Sequence, residues 1–466
     1  MPEQIKKNTP DLPDNNQTPP LVAFVSLGCV KNLVDSEKML GQIAESGAIL
    51  CDEQAADTIV VNTCGFLGSA RDEALDIIAQ LAERKRAGTL RRLVVVGCLV
   101  QRDGETLLQQ VPEIDALVGV HNRDDVARAI WPDSPPTHRP SVDCYLGDYH
   151  PQPWTDQGRL RLTPEHYAYV RIGEGCDQKC TFCTIPAIRG PLHCKTPDQI
   201  VAECQELIAD GARELILIGQ DTTSYGRDLN YQPGLAGLLR RLDAECTGAR
   251  WLRLMYVYPS IMTDTIIDAI AECQRIVKYI DIPLQHINDR VLKSMGRRVT
   301  RRQTEDLLAR IRARIPGVTL RTTFMVGFPG ETEDEFAELL EFVRTSGFEA
   351  VGAFEFSREE GTPSYRLPKQ ITPEIRAARY DQLMLAQQEV ALTAARQRIG
   401  QTFNIVVDEA AGASSHAIAR HAGQAPEVDA VCLLSGTDAQ PGSFMPVNCV
   451  GTDGYDLLVQ PVTRPR

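Results

Sequence analysis

The residues Gly175-Cys176-Asp177-Gln178-Lys179-Cys180-Thr181-Phe182-Cys183 put three thiols on one short loop, with gaps of three and two residues. Such a loop can wrap one face of a metal cluster, and three thiolates leave a fourth coordination position unclaimed. An open position separates a site that does chemistry from one that only holds a fold. The alternative is a zinc loop or chance thiols. Zinc sites pair C-x2-4-C with a second, distant pair, and no such pair lies nearby.

A second set is spread along the first hundred residues. The apolar run Val22-Ala23-Phe24-Val25-Ser26-Leu27 leads to Gly28-Cys29, Thr58-Ile59-Val60-Val61-Asn62-Thr63 leads to Cys64, and Leu93-Val94-Val95-Val96-Gly97 leads to Cys98. Each cysteine closes a predicted strand. Helical patterns lie between them, from Asp35 to Glu45 and from Ala70 to Ala87 after a Ser69 cap. The order βαβαβ predicts a parallel sheet, whose ligands gather at the carboxyl ends of the strands. Cys29, Cys64 and Cys98 are therefore expected to converge. Three ordinary buried cysteines would explain any one of them but explain all three poorly, so on the residues alone a second metal site and incidental thiols both stand.

The chain has 466 residues, 43% of them hydrophobic, enough for about three domains. No apolar stretch reaches the length of a membrane span. The segment Met1 to Pro20, rich in Pro, Asn, Asp and Gln and without an apolar core, reads as a disordered tail and not a signal peptide. A cytoplasmic location is expected. Fourteen cysteines without a secretion signal favour reduced thiols and metal ligation over disulfides. A net charge of −13 gives no support to non-specific nucleic-acid binding.

The organisation read from these patterns is a tail at 1–20, an N-terminal α/β domain with a parallel sheet at 21–130, and a Pro-rich linker at 131–164 that contains Ser134-Pro135-Pro136 and Pro151-Gln152-Pro153. A run of six βα units follows at 165–398, predicting a partial barrel with function at the strand carboxyl ends. At 399–466, short β-like runs with Gly, Ser and Asp between them predict a small antiparallel β-barrel.

The spacing C-x3-C-x2-C, with Phe182 before the last cysteine, resembles the signature of the radical SAM enzymes. The resemblance implies that Cys176, Cys180 and Cys183 bind a 4Fe-4S cluster and that S-adenosyl-L-methionine fills the vacant iron position. The three parts together resemble the methylthiotransferase family, whose N-terminal domain carries a second 4Fe-4S cluster and whose last domain is called TRAM. Cys29, Cys64 and Cys98 match the ligands of that second cluster. Ser26-Leu27-Gly28-Cys29-Val30-Lys31-Asn32-Leu33-Val34-Asp35-Ser36-Glu37, Val61-Asn62-Thr63-Cys64-Gly65-Phe66, Met255-Tyr256-Val257-Tyr258-Pro259 and Asp281-Ile282-Pro283-Leu284-Gln285-His286 resemble the branch that acts on a ribosomal protein. Its members add a methylthio group to the β-carbon of an aspartate in protein twelve of the small ribosomal subunit. The implied partners are that basic protein and a low-potential electron donor such as flavodoxin or ferredoxin. Val30 and Cys194-Lys195 depart from the family pattern, and Cys194 is read as a serine substitute.

The family chemistry uses SAM twice, as methyl donor to a sulfide and as radical source. No acid or base on a protein breaks an unactivated C–H bond at neutral pH, so a radical is chemically required. Phe182, Gln220 and Asp221 are candidate SAM contacts. A helix-entry turn capped by Asp221 or Thr222 is the competing reading of the latter two. Gly327-Phe328-Pro329-Gly330-Glu331-Thr332 resembles a family loop near SAM and also reads as a tight turn before a helix capped near Thr332. His286 reads as structural. From Gly400 to Arg466 seven acidic residues, Asp408, Glu409, Glu427, Asp429, Asp438, Asp453 and Asp456, face three arginines and no lysine, which suits a basic partner better than phosphate. A tRNA adenosine methylthiotransferase would share every cluster ligand and would bind tRNA in a salt-sensitive way. A non-catalytic iron–sulfur electron carrier would explain the thiols but not two large α/β domains.

Overall fold

A computed structural model describes residues 18–131, 142–149, 154–412 and 416–462. The tail as far as residue 17, Ser134-Pro135-Pro136 and Pro151-Gln152-Pro153 lie outside the described residues. The chain divides into two compact units, residues 1–150 with 156–160, and residues 151–155 with 161–466.

In the first unit the elements run β1 (Leu21–Ser26), α1 (Val30–Glu45), β2 (Ile49–Leu50), β3 (Thr58–Thr63), α2 (Gly68–Arg86), β4 (Arg92–Gly97), α3 (Cys98–Gln110), β5 (Ala116–Gly119), α4 (Val126–Ile130) and β6 (Asp143–Tyr145). They form one parallel sheet of order β2-β1-β3-β4-β5-β6. β3 and β4 are buried at every position, as apolar runs covered on both faces must be. One hydrophobic cluster, with Ile78, Leu81 and Leu99, packs on one face, and another, with Met39, Ile43 and Ile130, packs on the other.

Three local details differ from the sequence reading. α1 starts at Val30, directly after Cys29, and not at Asp35. α2 starts at Gly68 with no side-chain cap, so Ser69 lies inside the helix. The stretch read as linker supplies β6, whose Asp143 pairs with Ala116 and binds Arg92 at 2.6 Å.

The second unit continues with β7 (Tyr167–Arg171), β8 (Gly173–Glu174), α5 (Ile185–Arg189), β9 (His193–Cys194), α6 (Pro197–Ala209), β10 (Glu214–Ile218), α7 (Gly234–Glu245), β11 (Trp251–Leu254), α8 (Asp264–Glu272), β12 (Ile276–Asp281), α9 (Asp289–Ser294), α10 (Arg301–Arg314), β13 (Thr319–Val326), α11 (Glu333–Ser346), β14 (Ala350–Glu355) and α12 (Pro373–Arg396). Six parallel strands stand in chain order, β7-β10-β11-β12-β13-β14, as an open sheet. Thr196, Thr300 and Thr332 start α6, α10 and α11 through capping boxes with Gln199, Gln303 and Glu335. Alternate strand residues, among them Val170, Leu215, Leu217, Leu252, Ile280 and Leu320, join the helices in one apolar core. By the pleat, Tyr167, Glu214, Arg253, Tyr279, Asp281 and Arg321 belong to the opposite face.

That polar face meets the last domain, built of β15 (Thr402–Glu409), β16 (Ala417–His421), β17 (Cys432–Leu434), β18 (Phe444–Asp453) and β19 (Asp456–Pro461). These strands close into a barrel of order β15-β16-β17-β19-β18, antiparallel except where β17 pairs parallel with β19. Arg420 binds Asp408 through two nitrogens and reaches Glu214 at 2.8 Å, while Arg253 holds the other Glu214 oxygen at 2.8 Å. Tyr279 donates to Asp429, and Arg321 bridges Asp429 and Asp281. The barrel is thus fastened to the open sheet by charges that are mostly buried, Glu214, Arg253 and Arg420 among them.

Candidate active site

In the first unit Cys29, Cys64 and Cys98 follow the carboxyl ends of β1, β3 and β4, which are adjacent strands. Each cysteine has a glycine beside it, and those glycines let the loops touch. A Cβ on Gly28 would stand 2.7 Å from the Cβ of Cys64, one on Gly65 would stand 2.8 Å from the backbone of Cys98, and one on Gly97 would strike the Asn62 side chain at 2.3 Å. Gly28 and Gly97 also sit at φ of 92° and 100°, a region that side chains disfavour. Buried Asn32, in the first turn of α1, joins all three loops. Its amide nitrogen donates to the carbonyls of Leu27 and Thr63 at 3.2 and 2.9 Å, and its oxygen accepts from the Cys98 thiol at 3.5 Å. Cys29 is exposed, whereas Cys64 and Cys98 are buried. Asn32 was passed over in the sequence, although a polar residue three positions after a strand-end cysteine is the visible signal.

In the second unit the loop carrying Cys176, Cys180 and Cys183 follows β7 and β8 and is tied to the ends of the neighbouring strands. Gln178 donates to Asp221 beyond β10 at 2.8 Å, and the Thr181 amide donates to the Met295 carbonyl beyond α9 at 2.9 Å. Ser364 donates its amide to Thr181 at 2.9 Å. At the loop's start, a Cβ on Gly175 would fall 2.0 Å from the carbonyl oxygen of Pro191, so only glycine fits there. Burial pushes the thiols of Cys176 and Cys183 up to about 12. Arg297 approaches Cys180 Sγ at 3.7 Å and the Tyr258 hydroxyl lies 3.9 Å from the same sulfur. Phe182 is partly buried against Val291, Met295, Met325, Phe328 and Phe356.

Asp221 makes the turn after β10: it caps a short 3-10 helix, accepting from the Ser224 amide at 3.2 Å and from the Ser224 hydroxyl at 2.7 Å. Gln220 Oε1 is buried without a hydrogen-bond partner among the described residues. The Gly327–Gly330 turn is closed by Glu331, which accepts the amides of Gly327 and Phe328, and Thr332 caps α11. His286 is buried, and its Nδ1 accepts from the Asn288 amide. Cys194 is buried in β9, where burial raises its thiol and the Gly226 amide donates to its sulfur. It takes no part in either cysteine group.

Both groups offer only sulfur, three atoms each, at the carboxyl ends of parallel strands. Among the described residues no three His, Cys, Asp or Glu side chains stand close enough to hold a single metal ion.

Residues 170–343 match the model described as the Radical SAM superfamily, 21–119 that of Uncharacterized protein family UPF0004, and 399–462 that of the TRAM domain. The radical S-adenosylmethionine methyltransferase TsrM from Kitasatospora setae, solved with cobalamin and a 4Fe-4S cluster bound, shares the fold at a TM-score of 0.53 and 16% identity, over 74% of this chain and 77% of that one. The open parallel sheet and its three-thiol loop are those of a radical SAM enzyme. Relatives named ribosomal protein uS12 methylthiotransferase RimO align along nearly the whole chain. The protein of Trichlorobacter lovleyi is 41% identical over 94% of this chain and 97% of its own. That of Anaeromyxobacter sp. (strain K) is 43% identical over 94% and 92%, and that of Geobacter sulfurreducens 41% over 94% and 97%. The chain belongs to this RimO family and is a radical SAM methylthiotransferase.

Proposed function

We propose that this enzyme adds a methylthio group to the β-carbon of an aspartate in uS12, protein twelve of the small ribosomal subunit, in the cytoplasm. The observation that carries the reading is the 41–43% identity to RimO proteins across 94% of the chain. The aspartate and its β-carbon follow from the family resemblance. In this reading Cys176, Cys180 and Cys183 would hold one 4Fe-4S cluster and Cys29, Cys64 and Cys98 would hold a second. When bound, the first group supplies the electron that splits SAM into methionine and a deoxyadenosyl radical, and the second supplies the sulfur that takes the methyl group.

The chain's own residues do the holding and orienting. Asn32 helps set the spacing of the N-terminal thiols by tying the loops of Cys29 and Cys64 through its donated bonds to Leu27 and Thr63, while the Cys98 thiol gives up its proton and its bond to Asn32 when it ligates. Asp221, occupied by Gln178 and Ser224, fixes the radical SAM loop against the end of β10, which makes it a positioning group for the SAM site. Gln220, with its unsatisfied buried oxygen, is the better acceptor for the methionyl ammonium of SAM, and Phe182 walls the loop with its apolar neighbours. The functional parts are residues 21–130 for sulfur, 165–398 for the radical and 399–466 for support of the sheet. The electron donor is a low-potential protein of the flavodoxin or ferredoxin kind.

The test is anaerobic reconstitution of the chain with iron and sulfide, reaction with SAM and a low-potential reductant such as dithionite, and mass spectrometry of uS12 and tRNA offered together. Methylthiolation of the uS12 aspartate with unmodified tRNA is the expected result. Modified tRNA beside unmodified uS12 would replace this reading with that of a tRNA methylthiotransferase.

A further inference from the structure

Cys180 is the one thiol of the radical SAM loop with a cation against its sulfur. Arg297 follows α9 and Gly296, and a Cβ on Gly296 would fall 2.3 Å from the Lys179 carbonyl oxygen, so this backbone is pressed against the loop. The Arg297 side chain is buried. Nη1 points at Cys180 Sγ from 3.7 Å, Nη2 donates to the Pro283 carbonyl, and the guanidinium lies over the Tyr258 ring at 4.2 Å. Nε is buried with no hydrogen-bond partner among the described residues. The Tyr258 hydroxyl, 3.9 Å from Cys180 Sγ, completes a pair of donors around one sulfur. No carboxylate takes up the guanidinium in these contacts. A buried cation fixed by a carbonyl and an aromatic face, and aimed at sulfur, is placed to stabilise negative charge there.

We propose that Arg297 is a positioning residue that sets the electron affinity of the radical SAM cluster through Cys180. The proposal rests on the reading that Cys176, Cys180 and Cys183 hold that cluster. One electron from a low-potential donor adds one negative charge, with no proton taken up and no bond broken. Arg297 stabilises the charge after the electron has arrived more than before, so its presence raises the reduction potential. Tyr258 keeps the guanidinium in place through the ring and adds a weaker donor.

The experiment uses the full chain carrying C29A, C64A and C98A, so that only one cluster signal remains, with Arg297, R297K or R297Q. Iron and sulfide content, the thermal midpoint and a reductive titration followed by electron paramagnetic resonance are measured. R297Q is expected to lower the equilibrium constant for one-electron reduction about tenfold, about 59 mV. R297K, which keeps the charge but loses the fork to Pro283, is expected to lie closer to Arg297 than to R297Q at comparable iron content. If R297Q titrates like Arg297, or if R297K and R297Q move together, Arg297 only braces the Pro283 turn and the inference is wrong. If the Arg297 parent binds no cluster at all, the underlying assignment of Cys176, Cys180 and Cys183 fails, and the inference fails with it. The two failures are told apart by iron content.

Discussion

Asn32 does for the N-terminal thiols what Gln178 does for the loop at 176–183: it fastens the sulfur-bearing loops by hydrogen bonds. Two hydrogen bonds donated by its side-chain nitrogen and one accepted from the Cys98 thiol tie Leu27, Thr63 and Cys98. N32A should cost about 1–3 kcal/mol, because buried carbonyls lose their donor. It should also reduce the iron bound by the full chain while leaving SAM cleavage intact, as urea unfolding, iron analysis and a methionine-release assay would show. Unchanged iron content would mean that the loops converge without Asn32. At this scale the placement of the six cysteines, three at adjacent strand ends and three on one loop, was legible because thiol spacing and strand ends are local features of sequence. Their supports were not. Arg297 meets Cys180 across 117 positions, a contact that only the order of strands creates.

At the scale of elements, the strands were legible where apolar runs are buried on both faces, as in β3 and β4. Capping threonines fixed the helix starts at Thr300 and Thr332. β18 escaped because Pro446 and Gly451 interrupt its pattern, yet it is the longest strand of the barrel. β6 escaped among prolines, being only three residues long. Pairing charges across elements were invisible for the same reason as Arg297. Arg420 of β16 carries the most of these: R420M would take one partner from buried Glu214, which keeps Arg253, and one from part-buried Asp408, which keeps His166, at a cost of about 3 kcal/mol. Burial pushes the Glu214 carboxyl up, but Arg420 and Arg253 outweigh it and hold it below the usual range. A depressed carboxyl contributes stability above its unfolded value near ~4.3 and loses it as pH falls through the folded value. The stability gap between wild type and R420M should therefore be largest near neutral pH and narrow on acidification below about 4. Urea unfolding at several pH values checks this, and a gap independent of pH would contradict it.

For the whole molecule, the open sheet of the radical SAM domain is completed by the last barrel, whose Arg420 and Asp429 reach into the sheet's polar face. This changes what the barrel's acidity means. Asp408 and Asp429 serve internal ion pairs and Glu427 accepts from Tyr167, so the seven acidic residues counted in the sequence are not seven surface charges. Counting could give the net charge but not where it lies. The proposal of uS12 as substrate rests on kinship with the RimO proteins and not on that count. The central claim is that two separate groups of three thiols serve two separate half-reactions. It is tested most directly by comparing two full-length variants after anaerobic reconstitution, one with Cys29, Cys64 and Cys98 replaced by alanine, the other with Cys176, Cys180 and Cys183 replaced. Each should lose about half of the iron and sulfide. The first should still cleave SAM on reduction but leave uS12 unmodified, and the second should do neither. Loss of SAM cleavage in the first variant, at half the iron content, would contradict the division of labour.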